Sequence, residues 1–207
     1  MRERTSRWSW RAVASPSASV SRGLTEILGA LAAACGSRRA ALALIGAAAR
    51  NAWAPPRATT DLDLAVSASD PLLESIQSTL QGLGYERVRS QRADPADAQA
   101  DLIVYRVSTG ELRQIDLLVA KTDFEQEVLR RAVPVEIAGV TIPVATPEDL
   151  IVYKLIADRP RDRDDILAIL RTQARAGRAL DWAHVERWAR FWNVSDRLAS
   201  LEGPRRG

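Results

Sequence analysis

Three aspartates placed within apolar runs constrain this chain more than any other feature. Asp61 and Asp63 lie in TTDLDLAV over residues 59–66, and Asp116 lies in QIDLLV over residues 114–119. A buried carboxylate is unfavourable unless it is paired, bound to a metal or neutralised. Because alternate strand residues share a face, Asp61 and Asp63 project together. If the Asp116 strand lies alongside, the three carboxylates converge as they would at a site for a hard cation and a nucleoside triphosphate.

A turn suited to phosphate precedes the acid pair. Residues 41–45 are apolar and read as a buried strand, Gly46 follows, and an alanine-rich segment suited to a helix begins at Ala47. A strand that turns into a helix points backbone N–H groups and the positive end of the helix dipole towards an anion. We therefore expect Gly46 and Ala47 to present N–H groups to phosphate.

These motifs together resemble the signature of the polymerase-beta-like nucleotidyltransferases. That signature is an apolar residue, Gly, Gly or Ser, a spacer and an acid pair, with a third acid on a later strand. Here it is carried by IGA over residues 45–47 and DLDL over residues 61–64. Ala47 stands where many members have Ser or Gly, so it offers a backbone N–H but no hydroxyl.

Three further segments are similar to one branch of that superfamily, the AbiEii/AbiGii toxin-like nucleotidyltransferases of abortive infection. They are PRATTDLD over residues 56–63, TPEDLIVYKL over residues 146–155 and DRPRDRDDI over residues 158–166. All the matches together span roughly residues 40–170.

The resemblance implies an α/β (α+β) fold, with a small mixed sheet of the polymerase-beta-like type and a helical C-terminal part. It also implies transfer of a nucleoside monophosphate from an NTP to an acceptor hydroxyl, with Mg²⁺ or Mn²⁺ as cofactor. Asp61, Asp63 and Asp116 would bind the metal, and Asp116 would also draw the proton from the acceptor. Nucleotide contacts are expected from the following residues: Gly46, Ala47, Arg57, Thr60, Lys154, Arg159 and Asp162.

Lys154 draws attention because the chain has only two lysines, Lys121 and Lys154, among many arginines. It lies within an apolar helical segment, where a lysine can instead extend its ammonium group to the solvent. A compact ammonium charge also fits between phosphate oxygens, and the resemblance implies that Lys154 grips the triphosphate. Among the acids that follow, Asp162 is expected to reach the site and Asp165 to brace it. The only histidine, His184, is interpreted as structural.

The acceptor is open at this stage. The resemblance suggests an RNA such as a tRNA, in a toxin with a cognate antitoxin. Residues 1–60 carry nine Arg against two Glu, which is compatible with an RNA partner. The alternatives are a small hydroxylated molecule of the antibiotic type, or a nucleotide-binding regulator without catalysis.

Composition excludes several kinds of site and segment. The single cysteine, Cys35, excludes an internal disulfide, and with one histidine a His/Cys metal site is also excluded. No apolar run is long enough to span a membrane, and residues 1–20 lack the apolar core of a signal peptide. A cytoplasmic location is therefore expected.

Periodicity and turn residues divide the chain into three parts: a flexible extension over residues 1–20, a core over residues 21–145 and a helical part over residues 146–207. The resemblance implies that the core is the nucleotidyltransferase domain. A flexible polar segment is predicted over residues 90–100. Strands are predicted over residues 41–45, 61–66, 85–89, 102–107, 112–119, 133–137 and 140–144. Helices are predicted over residues 21–35, 47–53, 71–81 (capped by Asp70), 123–132, 147–157 (capped by Thr146), 162–176 and 180–192. The helix that ends at residue 176 is predicted to begin at Asp162 or Arg163.

Overall fold

A computed structural model of the protein describes residues 18–36, 42–91 and 101–201. The predicted flexible extension over residues 1–20 lies outside these ranges except for its last three residues, which are helical. Of the predicted flexible segment over residues 90–100, the first two residues belong to a strand and the others lie outside the described residues.

Seven strands run through the described residues. Their bounds are β1 Leu42–Ile45, β2 Asp61–Ser67, β3 Glu86–Gln91, β4 Asp101–Arg106, β5 Gln114–Ala120, β6 Val133–Ile137 and β7 Val140–Val144. They form one sheet in the order β3-β4-β5-β2-β1-β7-β6. β2 is parallel to β5 and β1 is parallel to β7, whereas the other neighbouring strands are antiparallel. The predicted mixed sheet is confirmed.

Eight helices accompany the sheet in the same part of the chain. They are α1 Ala18–Cys35, α2 Gly46–Trp53, α3 Asp70–Gly82, α4 Asp123–Arg131, α5 Pro147–Ala157, α6 Asp162–Arg175, α7 Trp182–Phe191 and α8 Ser195–Ala199. The helix α2 contacts β1 and β2 on one side, and it also contacts α5 and α6. The helices α5 and α6 therefore pack on α2, which in turn packs on the strand that carries the acid pair.

Two helix starts show how local chemistry sets the boundaries. The prediction that Asp70 caps α3 is wrong, because Asp70 is the first helical residue and Ser69 takes the N-cap position. The Ser69 carbonyl accepts the first helical hydrogen bonds, and Pro71 lies in the first turn, where its missing N–H is not needed. At α5 the predicted cap is confirmed, since Thr146 Oγ1 accepts a hydrogen bond from the Asp149 N–H.

The pleat of β5 separates the core from the face that concerns function. Ile115, Leu117 and Val119 are buried, whereas Gln114 and Asp116 project from the opposite face and are partly exposed. An acid can occupy this strand because it lies on the partly exposed face. Within the described residues, no helix has the length and apolar character needed to cross a membrane. The division into a core over residues 21–145 and a helical part over residues 146–207 stays a prediction.

Candidate active site

Asp63 and Asp116 lie side by side on two neighbouring parallel strands. β2 and β5 pair in register from Asp61 with Gln114 onwards, and this register pairs Asp63 with Asp116. Residues paired in this way project from the same face of a sheet, and Asp61, two residues before Asp63, projects from that face too. The expectation that the Asp116 strand lies alongside the acid pair is confirmed.

The carboxyl group of Asp63 has a strongly altered acidity. Burial, followed by the nearby Asp116 carboxylate, raises the pKa of Asp63 to about 6, and Asp61 adds a smaller repulsion. A hydrogen bond from the Ala47 backbone N–H and the positive charge of Arg159 oppose this rise. Crowded carboxylates of this kind are stabilised when a cation binds between them.

Asp116 is held by two residues that sequence reasoning did not identify. The side-chain amide of Gln114 donates to the two carboxylate oxygens of Asp116 at 2.9 and 3.1 Å. Arg106 Nε donates to Gln114 Oε1 at 2.9 Å, which leaves the amide nitrogen to face Asp116. Burial raises the pKa of Asp116, and the Gln114 hydrogen bond opposes the rise. The available signal was the strand alternation, which places Gln114 on the same face as Asp116.

Asp61 is the most exposed of the three acids. It is the first residue of β2, and its Oδ1 accepts a hydrogen bond from Thr60 Oγ1 at 3.1 Å. Across residues 18–36, 42–91 and 101–201, no three His, Cys, Asp or Glu side chains are gathered as a group that could hold a metal ion. The Asp61 carboxylate would have to turn from Thr60 towards Asp63 and Asp116 to complete a set of three carboxylate ligands.

Gly46 brings the turn between β1 and α2 directly against Asp63. Its φ of +64° lies in the left-handed region, and a Cβ added to it would lie 1.9 Å from Asp63 Oδ2. A side chain is therefore excluded at this position both by backbone conformation and by space. Because the next residue, Ala47, donates its N–H to Asp63, the turn expected to bind phosphate faces the acid pair.

Lys154 lies in a buried cluster of charges. Only 6% of its surface is exposed, and Nζ donates to Asp162 Oδ1 at 3.0 Å and to Asp165 Oδ2 at 2.7 Å. The alternative that Lys154 extends to the solvent from a half-buried helix is wrong, because its ammonium group lies inside this cluster. Asp162 is fixed further by the backbone N–H of Arg159, which donates to Oδ2 at 2.9 Å.

Asp165 is the centre of the same cluster. Arg57 donates to both of its oxygens, with Nε at 3.0 Å and Nη2 at 2.9 Å, and Arg50 Nε lies 3.0 Å from Oδ1. Burial by itself raises the pKa of Asp165, but hydrogen bonds from Arg57 and Lys154 outweigh this effect and bring the pKa to about 2. Asp165 thus ties α2, the loop before β2, α5 and α6 together. Arg50 was not identified from the sequence, since nothing local indicates its partner far along the chain.

Arg159 is an exposed cation that is suited to bind a phosphate. Its side chain lies in the turn between α5 and α6 and is exposed. Burial raises the pKa of both Asp63 and Asp116, and the positive charge of Arg159 opposes this rise, so Arg159 acts on the two paired acids. The pKa of Arg57 is raised mainly by its hydrogen bonds to Asp165, and the negative charge of Asp63 adds a smaller effect. Arg159 is therefore better placed than Arg57 to meet a bound nucleotide.

His184 belongs to a separate buried pair. Its Nε2 lies 2.7 Å from Asp149 Oδ1, and Thr146 Oγ1 donates to the other carboxylate oxygen at 2.8 Å. These contacts join α7 to the start of α5, in agreement with the interpretation of His184 as structural.

The family and fold of the chain follow from comparison with known proteins. The model of the family described as nucleotidyl transferase AbiEii toxin, type IV toxin–antitoxin system, matches residues 29–198. No protein with curated annotation matches the chain.

Solved structures of other proteins are similar to this chain. The solution structure of the antibiotic-resistance factor ANT(2'')-Ia is 14% identical, with a TM-score of 0.53, over 88% of this chain and 97% of that one. JHP933 from Helicobacter pylori is 16% identical, with a TM-score of 0.47, over 87% of this chain and 77% of that one. At 14% identity the likeness to ANT(2'')-Ia concerns the fold alone, and this match supports the predicted polymerase-beta-like nucleotidyltransferase fold. Since the family model covers most of its length, the chain belongs to the AbiEii family and is a nucleotidyltransferase.

Proposed function

We propose that the protein transfers a nucleoside monophosphate from an NTP to an acceptor hydroxyl and releases pyrophosphate, at a site formed by Asp61, Asp63 and Asp116. The observation that carries this proposal is the pairing of Asp63 with Asp116 in register on neighbouring strands, directly beside the side-chain-free turn at Gly46.

The proposal includes Mg²⁺ or Mn²⁺ as the cofactor held by these acids. Three carboxylates are the oxygen donors that a hard divalent cation prefers. Burial and the acidic neighbours raise the pKa of Asp63, and a bound cation would stabilise its ionised form. When bound, such a cation neutralises the triphosphate and the leaving pyrophosphate.

Residues of the chain can be assigned roles in the nucleotidyl transfer step. The acceptor oxygen forms a bond to the α-phosphorus, and the bond from this phosphorus to the α,β-bridging oxygen breaks. The bridging oxygen keeps the electron pair and leaves as part of pyrophosphate. We assign the proton of the acceptor hydroxyl to Asp116, whose carboxylate Gln114 holds by two hydrogen bonds. Such a reaction depends mainly on alignment and charge neutralisation.

The phosphates would lie between the Gly46 turn and the α5–α6 turn. Gly46 and Ala47 stay our candidates for backbone contacts, and phosphate binding to Ala47 would share or replace its hydrogen bond to Asp63. Arg159, which is exposed, would contact the phosphates directly. Lys154 would act on the phosphates through its positive charge from the buried cluster beneath them, since its ammonium is already bound by Asp162 and Asp165.

For the acceptor we propose an RNA, such as the end of a tRNA, and we propose that the protein is a toxin controlled by a cognate antitoxin. Membership of the AbiEii family supports this choice. In that case, expression in a bacterial host should slow growth, and Asp63→Asn should restore it. Equal growth inhibition by the wild type and by Asp63→Asn would contradict a toxic transferase activity.

A small-molecule acceptor is the second candidate, and one observation favours it. The fold is shared with an antibiotic-resistance factor over nearly the whole of that chain.

One experiment separates the two acceptors. The protein is incubated with Mg²⁺, NTPs labelled at the α-phosphate, total RNA and, in parallel, a panel of hydroxylated antibiotics. Our proposal predicts α-label in RNA and none from γ-labelled NTP, because the γ-phosphate leaves with pyrophosphate. Label found only in an antibiotic would favour the second candidate, and γ-label in any acceptor would contradict nucleotidyl transfer.

A further inference from the structure

A row of paired residues runs across the sheet from the acid pair to the edge strand. Asp63 pairs with Asp116, Asp116 pairs with Val104 on β4, and Val104 pairs with Arg89 on β3. Cross-strand partners project from the same face. Arg89 therefore lies on the acid face, by which we mean the face of β2, β5, β4 and β3 that carries Asp63 and Asp116.

A second row lies beside the first. Asp61 pairs with Gln114, Gln114 pairs with Arg106, and Arg106 pairs with Glu86 on the edge strand. Arg106 thus joins Arg89 on the acid face, and its charge reaches the active site, since it opposes the rise in the pKa of Asp116 that burial causes.

An irregularity in β3 is what places Arg89 on this face. The register passes from Arg87 opposite Tyr105 to Arg89 opposite Val104, so that Val88 is an extra residue in the edge strand. A bulge of this kind changes which side chains face each side of a sheet. With regular alternation Arg89 would project from the same face as Arg87, away from the acids.

Arg106 and Arg89 lie at increasing distances from Asp116. Neighbouring strands are about 4.8 Å apart, so Arg106 lies one strand and Arg89 about two strands, or roughly 10 Å, from Asp116. Both side chains are exposed. Their side of Asp63 is opposite to β1 and the Gly46 turn, where the nucleotide phosphates are proposed to lie. A chain of phosphates that leads away from Asp116 would meet these two cations in turn.

We propose that the acid face of β5, β4 and β3 is the acceptor side of the active site, where Arg106 and Arg89 bind phosphates of a single-stranded RNA whose terminal hydroxyl lies at Asp116. This inference rests on the proposed nucleotidyl transfer and specifies its acceptor. An arginine-flanked approach favours an anionic acceptor and repels a cationic one. Glu86, at the end of the Arg106 row, also lies on this surface, and its negative charge would weaken RNA binding.

RNA binding by catalytically impaired protein tests the inference directly. A fluorescent single-stranded RNA of about 12 nucleotides is titrated with the Asp63→Asn chain, without NTP, and binding is followed by anisotropy at several salt concentrations. Into this background Arg89→Gln, Arg106→Gln and Glu86→Gln are introduced separately. Arg87→Gln is the matched control, because it removes the same charge from the same strand on the opposite face.

We expect Arg89→Gln and Arg106→Gln each to weaken RNA binding about tenfold, the lower range for a charge-assisted contact. A plot of the logarithm of the binding constant against the logarithm of the salt concentration has a negative slope. Each substitution should also reduce the magnitude of this slope by about 0.7, the value for one phosphate contact of a single strand. Glu86→Gln should strengthen binding, and Arg87→Gln should change it less than twofold.

Two results would overturn the inference: no RNA binding at low salt, or equal losses in Arg87→Gln and Arg89→Gln. The fate of the proposed function is measured separately, by pyrophosphate release from the wild-type chain with any acceptor. Transfer to a neutral or cationic small molecule without RNA binding would overturn the acceptor surface and leave nucleotidyl transfer intact. RNA binding through Arg89 without any transfer would support the surface and contradict the transferase proposal.

Discussion

The Asp63 carboxylate occupies the space that a side chain at position 46 would fill. A Cβ on Gly46 would lie 1.9 Å from Asp63 Oδ2 and 2.5 Å from Asp63 Cγ. The side-chain-free turn between β1 and α2 and the acid on β2 are therefore a single structural unit, so a change in one must displace the other.

Gly46→Ala tests this unit. The added methyl group must push Asp63 away from Asp116 and Ala47, so we expect nucleotidyl transfer to fall at least about 100-fold, as for a misplaced reacting group. Gly177→Ala is the matched control, because Gly177 has the same φ of +64° with no atom within 4 Å of the added Cβ. It shares the backbone strain of about 1–2 kcal/mol but should keep its activity. Similar activity losses in both variants would show that strain, not displacement of Asp63, is responsible.

The raised pKa of Asp63 predicts how the metal-free protein responds to pH. The folded pKa is about 6 and the ordinary value is 3.8, so the folded state holds the proton more tightly. The ionised group therefore destabilises the fold, and this penalty grows as pH rises from about 4 through about 6. Asp63→Asn in EDTA should raise the free energy of unfolding by up to about 3 kcal/mol at pH 7.5 and by little at pH 4. Urea unfolding at both pH values measures it, and a pH-independent difference would contradict the assignment.

Asp165 should be the most important acid for stability. Asp165→Asn leaves Arg50, Arg57 and Lys154 without their shared carboxylate, two of them buried. We expect a loss of about 3–5 kcal/mol in the free energy of unfolding, the cost of breaking a buried ion pair.

The exposed neighbour Asp164 supplies the control, and Asp164→Asn should stay within about 0.5 kcal/mol of the wild type. Because the pKa of Asp165 is lowered to about 2, its contribution is fully present above pH 4 and is lost as pH falls towards 2. A stable Asp165→Asn chain would show that Arg50 and Lys154 find other partners.

Lys154→Ala should impair both nucleotide use and stability. Loss of the ammonium weakens the positive field beneath the phosphates, and we expect a cost of roughly 1.5–3 kcal/mol in kcat/KM for the NTP. The control is Lys121→Ala, since Lys121 pairs with Asp101 near the surface and exposed pairs contribute about 0–1 kcal/mol. Steady-state kinetics and thermal unfolding of both variants are the measurements. Equal kinetic losses would mean that the wrong lysine was identified.

Much of the fold was predictable because its signals are local. The hairpin of β6 and β7 has the predicted bounds, since the turn at Ala138 and Gly139 adopts positive φ between two β-prone runs. The acid pair and Asp116 could be placed on strands because apolar residues surround them. The helix α8 was not predicted, since a single turn of five residues leaves too short a pattern.

The contacts that organise the site were harder to predict. The Arg50–Asp165 ion pair joins residues far apart in the chain, and no sequence pattern marks it. Asp165 was expected to brace Asp162, whereas the structure makes it the common partner of Arg50, Arg57 and Lys154. The side of the sheet reached by Arg89 depends on one extra residue in β3, and a strand read with regular alternation places it on the wrong face.

The most direct test is the rate at which α-label is transferred from the NTP to total RNA. It is measured for the wild-type chain, for Asp116→Asn and for the Asp164→Asn control, each with Mg²⁺ and saturating NTP. Asp116 is the acid that the register places beside Asp63, and Asn keeps its shape without its charge. We predict that Asp116→Asn lowers the rate at least about 100-fold while the control transfers at the wild-type rate and all three chains remain folded. Transfer by Asp116→Asn at the wild-type rate would contradict the assignment of this carboxylate pair as the active site.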